Sequence, residues 1–192
     1  MIRHKKFRGV KMDQKYPIVE IFHSVQGEGF HTGVPHVFVR FGNCNLRCEW
    51  CDTDFLTYNE MELSEIVSEV LSYECDRVIF TGGEPCLQDL DTIGNELKKH
   101  NIKLSVETNG TIPVPEVIDW ICVSPKDQLY PNLSIKQRIG HELKVVYCGQ
   151  DLSIYDDLKQ GFEHHFSVVH GEIVDQLVDL CRLLKIEPIV LR

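Results

Sequence analysis

The chain has 192 residues, a mass of 22.2 kDa, 43% hydrophobic residues and a formal charge of -9 with a pI near 5.4. That apolar content supports one sizeable core, and the acidic balance excludes broad binding to nucleic acid or anionic membrane, which need a dominant positive field. With no apolar run near the ~20 residues of a membrane span and no apolar middle of a secretory signal, the expectation is a single cytoplasmic domain over residues 1–192 acting on a small molecule.

The chain opens on a basic stretch, with Arg3, Lys5, Lys6, Arg8, Lys11 and Lys15, which reads as a solvated, flexible tail over residues 1–16. HSVQGEG, residues 23–29, follows; on its own Gln26-Gly27-Glu28-Gly29 reads as a glycine-permitted turn. Val37 to Phe41 then reads as a strand, and Leu63, Ile66, Val67, Val70 and Leu71 fall at helical spacing. The next strand, Arg77 to Phe80, runs into the turn TGGEP and a helix carrying Leu87, Leu90, Ile93 and Leu97. A strand over Lys103 to Val106 ends in ETNGT, a short helix is expected near Pro115 to Asp119, and Trp120 to Ser124 is a further strand. Residues 125–141 form the longest irregular stretch. Glu142 to Tyr147, a helix near Ile154 to Lys159, a strand at Phe166 to Val169 and a helix with Ile173, Val174, Leu177, Val178, Cys181 and Leu184 complete the pattern.

Strands alternating with helices of about ten residues predict parallel pairing through right-handed crossovers. A closed eight-fold barrel takes ~250 residues, so the expected α/β fold is an incomplete TIM-type barrel of about six βα units, open on one side. CNLRCEWCDT, TGGEP, ETNGT and SPK each follow a strand directly, which places all of them at the C-terminal face of the sheet.

In CNLRCEWCDT the cysteines Cys44, Cys48 and Cys51 crowd into one loop. Three thiolates are soft ligands for zinc or an iron-sulfur cluster. A structural zinc wants four ligands, and the loop supplies no fourth. A [4Fe-4S] cubane held by three thiolates leaves one iron open, as a catalytic metal site requires. The dispersed Cys75, Cys86, Cys122, Cys148 and Cys181 read as core residues. Of the nine histidines, His23, His31, His165 and His170 are candidates to approach a substrate, although each taken alone reads as structural or exposed.

CxxxCxxC at Cys44, Cys48 and Cys51, with TGGEP at Thr81 to Pro85 after the following strand, resembles the radical S-adenosylmethionine (SAM) superfamily. The resemblance implies a [4Fe-4S] cluster whose open iron chelates SAM, and whose electron splits SAM to a 5'-deoxyadenosyl radical that abstracts hydrogen from substrate. It places Gly82, Gly83 and Glu84 at the SAM amino group, Trp50 near the adenine, and Glu107, Thr108, Asn109, Ser124 and Lys126 among the remaining SAM contacts.

HSVQGEG, the Val37–Phe41 strand, CNLRCEWCDT, VIFTGGEP, ETNGT and CVSPK, taken in order over roughly residues 18–147, are similar to the 7-carboxy-7-deazaguanine synthases. That narrower resemblance implies conversion of 6-carboxy-5,6,7,8-tetrahydropterin to 7-carboxy-7-deazaguanine with loss of ammonia, a step toward deazapurines such as queuosine. Gln26, Gly27, Glu28, Arg40 and Thr81 would hold the pterin. A carboxylate at Glu28 accepts ring N–H groups, and the Arg40 fork fits the substrate carboxylate. Thr53 would coordinate Mg²⁺. An electron donor such as a flavodoxin or ferredoxin and a homodimeric state are implied as well. Toward the C-terminus the His165 to His170 stretch departs from the Gln-Pro segment frequent in that family. Two alternatives stand beside this reading: a glycyl-radical-enzyme activase, for which HSVQGEG has no use, and a non-enzymatic carrier with a cysteine-bound zinc or cluster.

Overall fold

The computed structural model describes residues 13–130 and 132–169. In chain order they form β1 (Lys15–Val25), β2 (Pro35–Phe41), β3 (Asn59–Glu62), α1 (Leu63–Ser72), β4 (Arg77–Gly82), α2 (Leu90–Lys98), β5 (Lys103–Thr108), β6 (Trp120–Val123), β7 (Gly140–Tyr147), α3 (Asp156–Lys159) and β8 (Phe162–Val169). The strands make an 8-stranded sheet in the order β3-β1-β2-β4-β5-β6-β7-β8. From β2 through β4, β5, β6 and β7 to β8 neighbours pair in parallel, whereas β1 pairs antiparallel with both β2 and β3. The two ends of the sheet, β3 and β8, do not meet, so the expected open partial barrel is what forms.

Period-two patterning explains its two faces. On β2 the residues Val37, Val39 and Phe41 are fully buried against the helices, together with Val78 and Phe80 of β4 and Leu104 and Val106 of β5. Helix α1 meets them with Leu63, Ile66, Val67 and Val70, and α2 with Leu90, Ile93 and Leu97, the i, i+3, i+4, i+7 stripe of an amphipathic helix. Each such side chain contributes about 1.5–3 kcal/mol by burial. Helix α2 starts at Asp89, whose carboxylate accepts from the Thr92 amide at 3.0 Å and satisfies one orphan donor of the first turn. A second apolar patch, Val123, Leu143, Val145, Tyr155, Leu158 and Phe162, continues the outer core under β6, β7, α3 and β8.

The alternate residues point inward. Phe38 and Arg40 of β2, Thr81 of β4, Glu107 of β5 and Lys144 of β7 therefore line the concave face.

Some expectations change. Lys15 and Tyr16, expected in the tail, open β1, with the Tyr16 hydroxyl donating to the Asp89 carbonyl at 3.1 Å. β1 is hard to read in sequence because its register shifts between Ile18 and Glu20, and β3 is a four-residue polar edge, NEME. The helix expected near Pro115 to Asp119 is a turn, closed by the Ile118 amide on the Pro115 carbonyl at 3.3 Å; Pro115, with Pro113 just before it, and the β-branched Val117 and Ile118 leave it little helical propensity. The basic residues from Arg3 to Lys11, His170 and the helix expected from Ile173 to Leu184, Cys181 included, lie outside the described residues.

At the opposite end of the parallel strands from the motifs, imidazoles and aromatic rings plug the interior. Phe30 stacks on His164 with centroids 4.2 Å apart, His31 lies 4.4 Å from Trp120, and Trp120 stacks on His141 at 4.7 Å. His31 is thus a packing residue far from the motif loops, in line with the structural reading of a lone histidine and not with an approach to substrate. Beneath the plug His36 is fully buried; its Nδ1 donates to the Val34 carbonyl at 2.9 Å and its Nε2 has no partner among the described residues. Burial, only partly offset by the Val34 carbonyl, holds the His36 pKa below its ordinary 6.5. Below about pH 6.5 the unfolded chain therefore takes up a proton that the folded chain still refuses, and stability falls with falling pH. Denaturant unfolding followed across that range is expected to lose up to about 1.4 kcal/mol per pH unit from this residue, and His36→Leu is expected to flatten the slope.

Candidate active site

The three cysteines sit in a loop that leaves the C-terminal end of β2 through Asn43, which takes a left-handed φ of 65°, a conformation Asn tolerates better than most residues. The Asn43 amide donates to the Phe55 carbonyl at 2.8 Å and its carbonyl accepts from the Glu84 amide at 2.9 Å, so both ends of the loop are tied to the end of β4. That contact dictates the glycines of TGGEP. A Cβ on Gly83 would come within 1.9 Å of the Asn43 carbonyl oxygen, and Gly82 has a φ of 116° with its Cβ direction blocked by the Phe41 carbonyl at 2.3 Å.

Glu84 follows, fully buried and outside the cavity wall rather than in it. Its carboxylate accepts from the Thr108 hydroxyl at 2.7 Å, the Asn109 amide at 2.8 Å and the Cys86 amide at 3.0 Å, locking TGGEP to ETNGT. Asn109 passes the connection on: its side-chain amide donates to Asn45 at 2.9 Å, and Asn45 donates to the Thr111 hydroxyl at 2.8 Å. On the other side the Arg47 amide donates to the Tyr130 hydroxyl at 2.8 Å. The cysteine loop is held from three directions.

These turns enclose a cavity of about 470 Å³, within the usual ligand-site range of ~300–1,000 Å³. Cys44, Cys48 and Cys51 line it with Trp50 and Thr53 of the same loop; Thr81, Gly82 and Gly83 come from the end of β4, and Glu107, Thr108 and Asn109 from the end of β5. Ser124 and Lys126 follow β6, and Glu28 and Arg40 complete the set. Of the residues singled out in the sequence, Gln26, Gly27 and Glu84 are not in the wall, although Gln26 donates to Glu107 at 2.9 Å. His23, His31 and His165 are also absent from it, and Cys148 is exposed rather than core.

The floor is ionic. Glu107 accepts from Lys144 at 3.0 Å, Gln26 at 2.9 Å and the Thr81 hydroxyl at 3.2 Å. Lys144 also donates to Glu28 at 2.9 Å. Burial would push the Glu107 carboxyl up, but the Lys144 charge and these hydrogen bonds hold it below the ordinary range. Burial would likewise pull Lys144 down, yet the Glu107 and Glu28 carboxylates hold it well above its ordinary value. At Lys126 burial wins, with the Lys144 charge adding to it, and the pKa drops to about 8. Its amine donates to the Ser124 carbonyl at 2.8 Å and hydroxyl at 2.5 Å, and lies 5.4 Å from the centre of the Trp50 ring.

The described residues contain no three His, Cys, Asp or Glu side chains gathered closely enough for a single ion. The cysteines are instead spread along the cavity wall, which suits a cubane, whose irons each take a separate thiolate, better than one zinc needing four donors at one centre. Burial pushes the Cys44 and Cys48 thiols up, and the positive charge of bound iron is what reverses such a shift.

The sequence model of the radical SAM superfamily matches residues 38–136, the span that carries every cavity residue except Glu28, Lys144 and Val146. A 7-carboxy-7-deazaguanine synthase of Bacteroides thetaiotaomicron is 48% identical over 149 residues, covering 78% of this chain and 79% of that protein. The chain belongs to the 7-carboxy-7-deazaguanine synthase family of the radical SAM superfamily. A second member, from Neisseria meningitidis, is 41% identical over 84% of this chain and 78% of its own length. The crystal structure of QueE from Escherichia coli superposes with a TM-score of 0.70 at 24% identity, covering 90% of this chain and 92% of that one, which shows the shared fold. Membership of this family removes the activase and zinc-carrier alternatives, and with it come the [4Fe-4S] cluster and SAM.

Sequence reading missed Lys144, along with Phe38, Leu46, Asp52, Phe55 and Val146 of the wall. The signal at Lys144 was present: a lysine inside the otherwise apolar strand run LKVVY must point away from the core face. Gly83→Ala is expected to force the cysteine loop off the end of β4, because the blocking atom is backbone and cannot rotate away; iron and sulfide per reconstituted chain should fall sharply, with a stability loss of about 1–3 kcal/mol.

Proposed function

We propose that this protein is a 7-carboxy-7-deazaguanine synthase: a radical SAM lyase that converts 6-carboxy-5,6,7,8-tetrahydropterin to 7-carboxy-7-deazaguanine with loss of ammonia. The observation that carries the reading is that residues of five separate turns, matched to one family at up to 48% identity, line one cavity with the three cysteines. A [4Fe-4S] cluster held by Cys44, Cys48 and Cys51 would supply the one-electron reduction of SAM on which radical chemistry at the pterin depends.

The chain's own residues bind and orient. Cys44, Cys48 and Cys51 are the cluster ligands in this reading. Backbone at Gly82 and Gly83 approaches SAM where no side chain intervenes, Trp50 supplies a flat apolar surface, and Ser124 with Lys126 offers donors to an anionic or hydroxyl group. Glu107, Thr108 and Asn109 complete the SAM side of the wall. Glu28 accepts from ring N–H groups, with Gln26 and Gly27 shaping its turn and Thr81 holding Glu107 in place. Arg40 is engaged through Nε with Glu20 at 2.7 Å, which fixes the guanidinium plane and leaves its far edge for a substrate carboxylate.

Mg²⁺ belongs to the same reading at Thr53, whose hydroxyl donates to Asp52 at 3.1 Å and accepts from Arg40 at 3.4 Å. A hydroxyl with a neighbouring carboxylate and open space for waters fits an ion that keeps most of its hydration. A flavodoxin or ferredoxin as donor, a homodimer and a cytoplasmic setting complete the proposal; no helix of the described residues is long and apolar enough to cross a membrane.

The test is anaerobic turnover of reconstituted, reduced enzyme with SAM, Mg²⁺ and the carboxytetrahydropterin. The expected result is many equivalents of 7-carboxy-7-deazaguanine per SAM consumed, lost in Cys44→Ala, Cys48→Ala and Cys51→Ala. Deoxyadenosine without deazaguanine would reject the substrate and leave the superfamily chemistry. For the ion, chelation is expected to lower turnover in wild type, and Thr53→Val to raise the Mg²⁺ concentration needed for half-activity by about ten-fold, the loss of one ligand hydroxyl at ~1.4 kcal/mol.

A further inference from the structure

Lys144 lies outside every motif of the chain, yet it occupies the floor of the cavity. Its side chain is 8% exposed, on a strand whose outward residues Leu143 and Val145 belong to the core. Burying an ammonium is costly unless it is paired, and one carboxylate is enough to pair it. Here it meets two, from different parts of the fold: Glu107 of β5 at 3.0 Å and Glu28 of the β1–β2 turn at 2.9 Å.

The two carboxylates differ. Glu107 is also held by Gln26 and Thr81, and would keep its place without the lysine. Glu28 is half exposed, and among the described residues its side chain bonds to Lys144 alone. Lys144 therefore aims Glu28 across the cavity. Two carboxylates against one ammonium leave the floor with a net negative charge, an acceptor surface for a ligand edge rich in N–H donors. The amino-pyrimidinone edge of a pterin is such an edge.

We propose that Lys144 is a positioning residue for the pterin: by tethering Glu28 beside Glu107 it presents both carboxylates as fixed acceptors for the donor edge of the ring. The inference rests on the pterin reading above. A merely structural ion pair would stabilise the barrel and leave substrate affinity alone.

The experiment compares wild type, Lys144→Met, Lys144→Arg, Glu28→Gln and the double variant Glu28→Gln/Lys144→Met, each as reconstituted holoenzyme with iron and sulfide counted. Lys144→Met is expected to raise KM for 6-carboxytetrahydropterin by about 30-fold, in line with losing one partner of a desolvated pair, with a smaller change in kcat. Lys144→Arg should recover most of the loss. Once Glu28 is already neutral there is no anion left to aim, so Lys144→Met should then cost less than about three-fold. If Lys144→Met does not load a cluster, the double variant, which returns the floor to its wild-type net charge, carries the test against Glu28→Gln. The inference is overturned if KM stays within about two-fold in Lys144→Met, or if the penalty is the same with and without Glu28. A wild type that makes no deazaguanine overturns the substrate reading and this inference with it; a wild type that turns over beside an equally good Lys144→Met overturns this inference alone.

Discussion

The site depends on one buried carboxylate. Glu84 is fully buried, and the groups that converge on its carboxylate are neutral donors: two backbone amides and the Thr108 hydroxyl. Desolvating a carboxylate is tolerable when several N–H and O–H groups converge on it, and the convergence here is what fixes the end of β4 against the end of β5. Removing those bonds would free Asn109, then Asn45, then the loop that carries the cysteines. Glu84 resembles a SAM contact in sequence because it stands beside Gly82 and Gly83. In space it is the anchor beneath them.

Register transmits that anchoring to the chemistry. Arg40 pairs with Thr81 across β2 and β4, and Phe41 pairs with Gly82, so Arg40 and Thr81 share the concave face while Phe41 packs in the outer core. A slip of one residue would exchange the faces, burying Arg40 among apolar side chains and turning Phe41 into the cavity. The outer core prevents this: Val39, Phe41, Val78 and Phe80 have no alternative place to be buried. Packing against α1 and α2 therefore decides which side chains reach the substrate, although no residue of either helix lines the cavity.

What the sequence made legible follows the same division. The parallel strands from β2 to β7 were readable because each carries continuous or alternating apolar residues and ends in a polar turn, and the turns revealed the site because chemistry here is attached to strand ends; the polar start of β8, FEHH, hid its first four residues. β1 and β3 were not readable, since a shifted register breaks the alternation in one and the other is too short and polar to show any. The helix expected at Pro115 to Asp119 does not form, because Pro115 and the β-branched Val117 and Ile118 leave a five-residue span too little helical propensity to close more than a turn. Single motifs also hide partnerships: Glu107 was visible beside Asn109, but its ties to Gln26, Thr81 and Lys144 span most of the chain length and leave no local trace.

A buried lysine, Lys144, and a half-buried one, Lys126, share the cavity and are driven in opposite directions, and the difference assigns them different work. Lys144 is met by Glu107 and Glu28, so its charge is secure before any ligand arrives. Lys126 has Ser124 oxygens as hydrogen-bond partners and a like charge nearby, so burial brings it to about 8, close to releasing its proton. An anionic group entering near Lys126 would restore the pairing that the protein withholds and be held for it, whereas one entering near Lys144 would meet two carboxylates and be repelled. The cavity thus sorts its ligands by charge, an anion toward the cluster loop and an N–H donor edge toward the floor. The polarity comes from three strand-end turns and from one lysine that no motif contains.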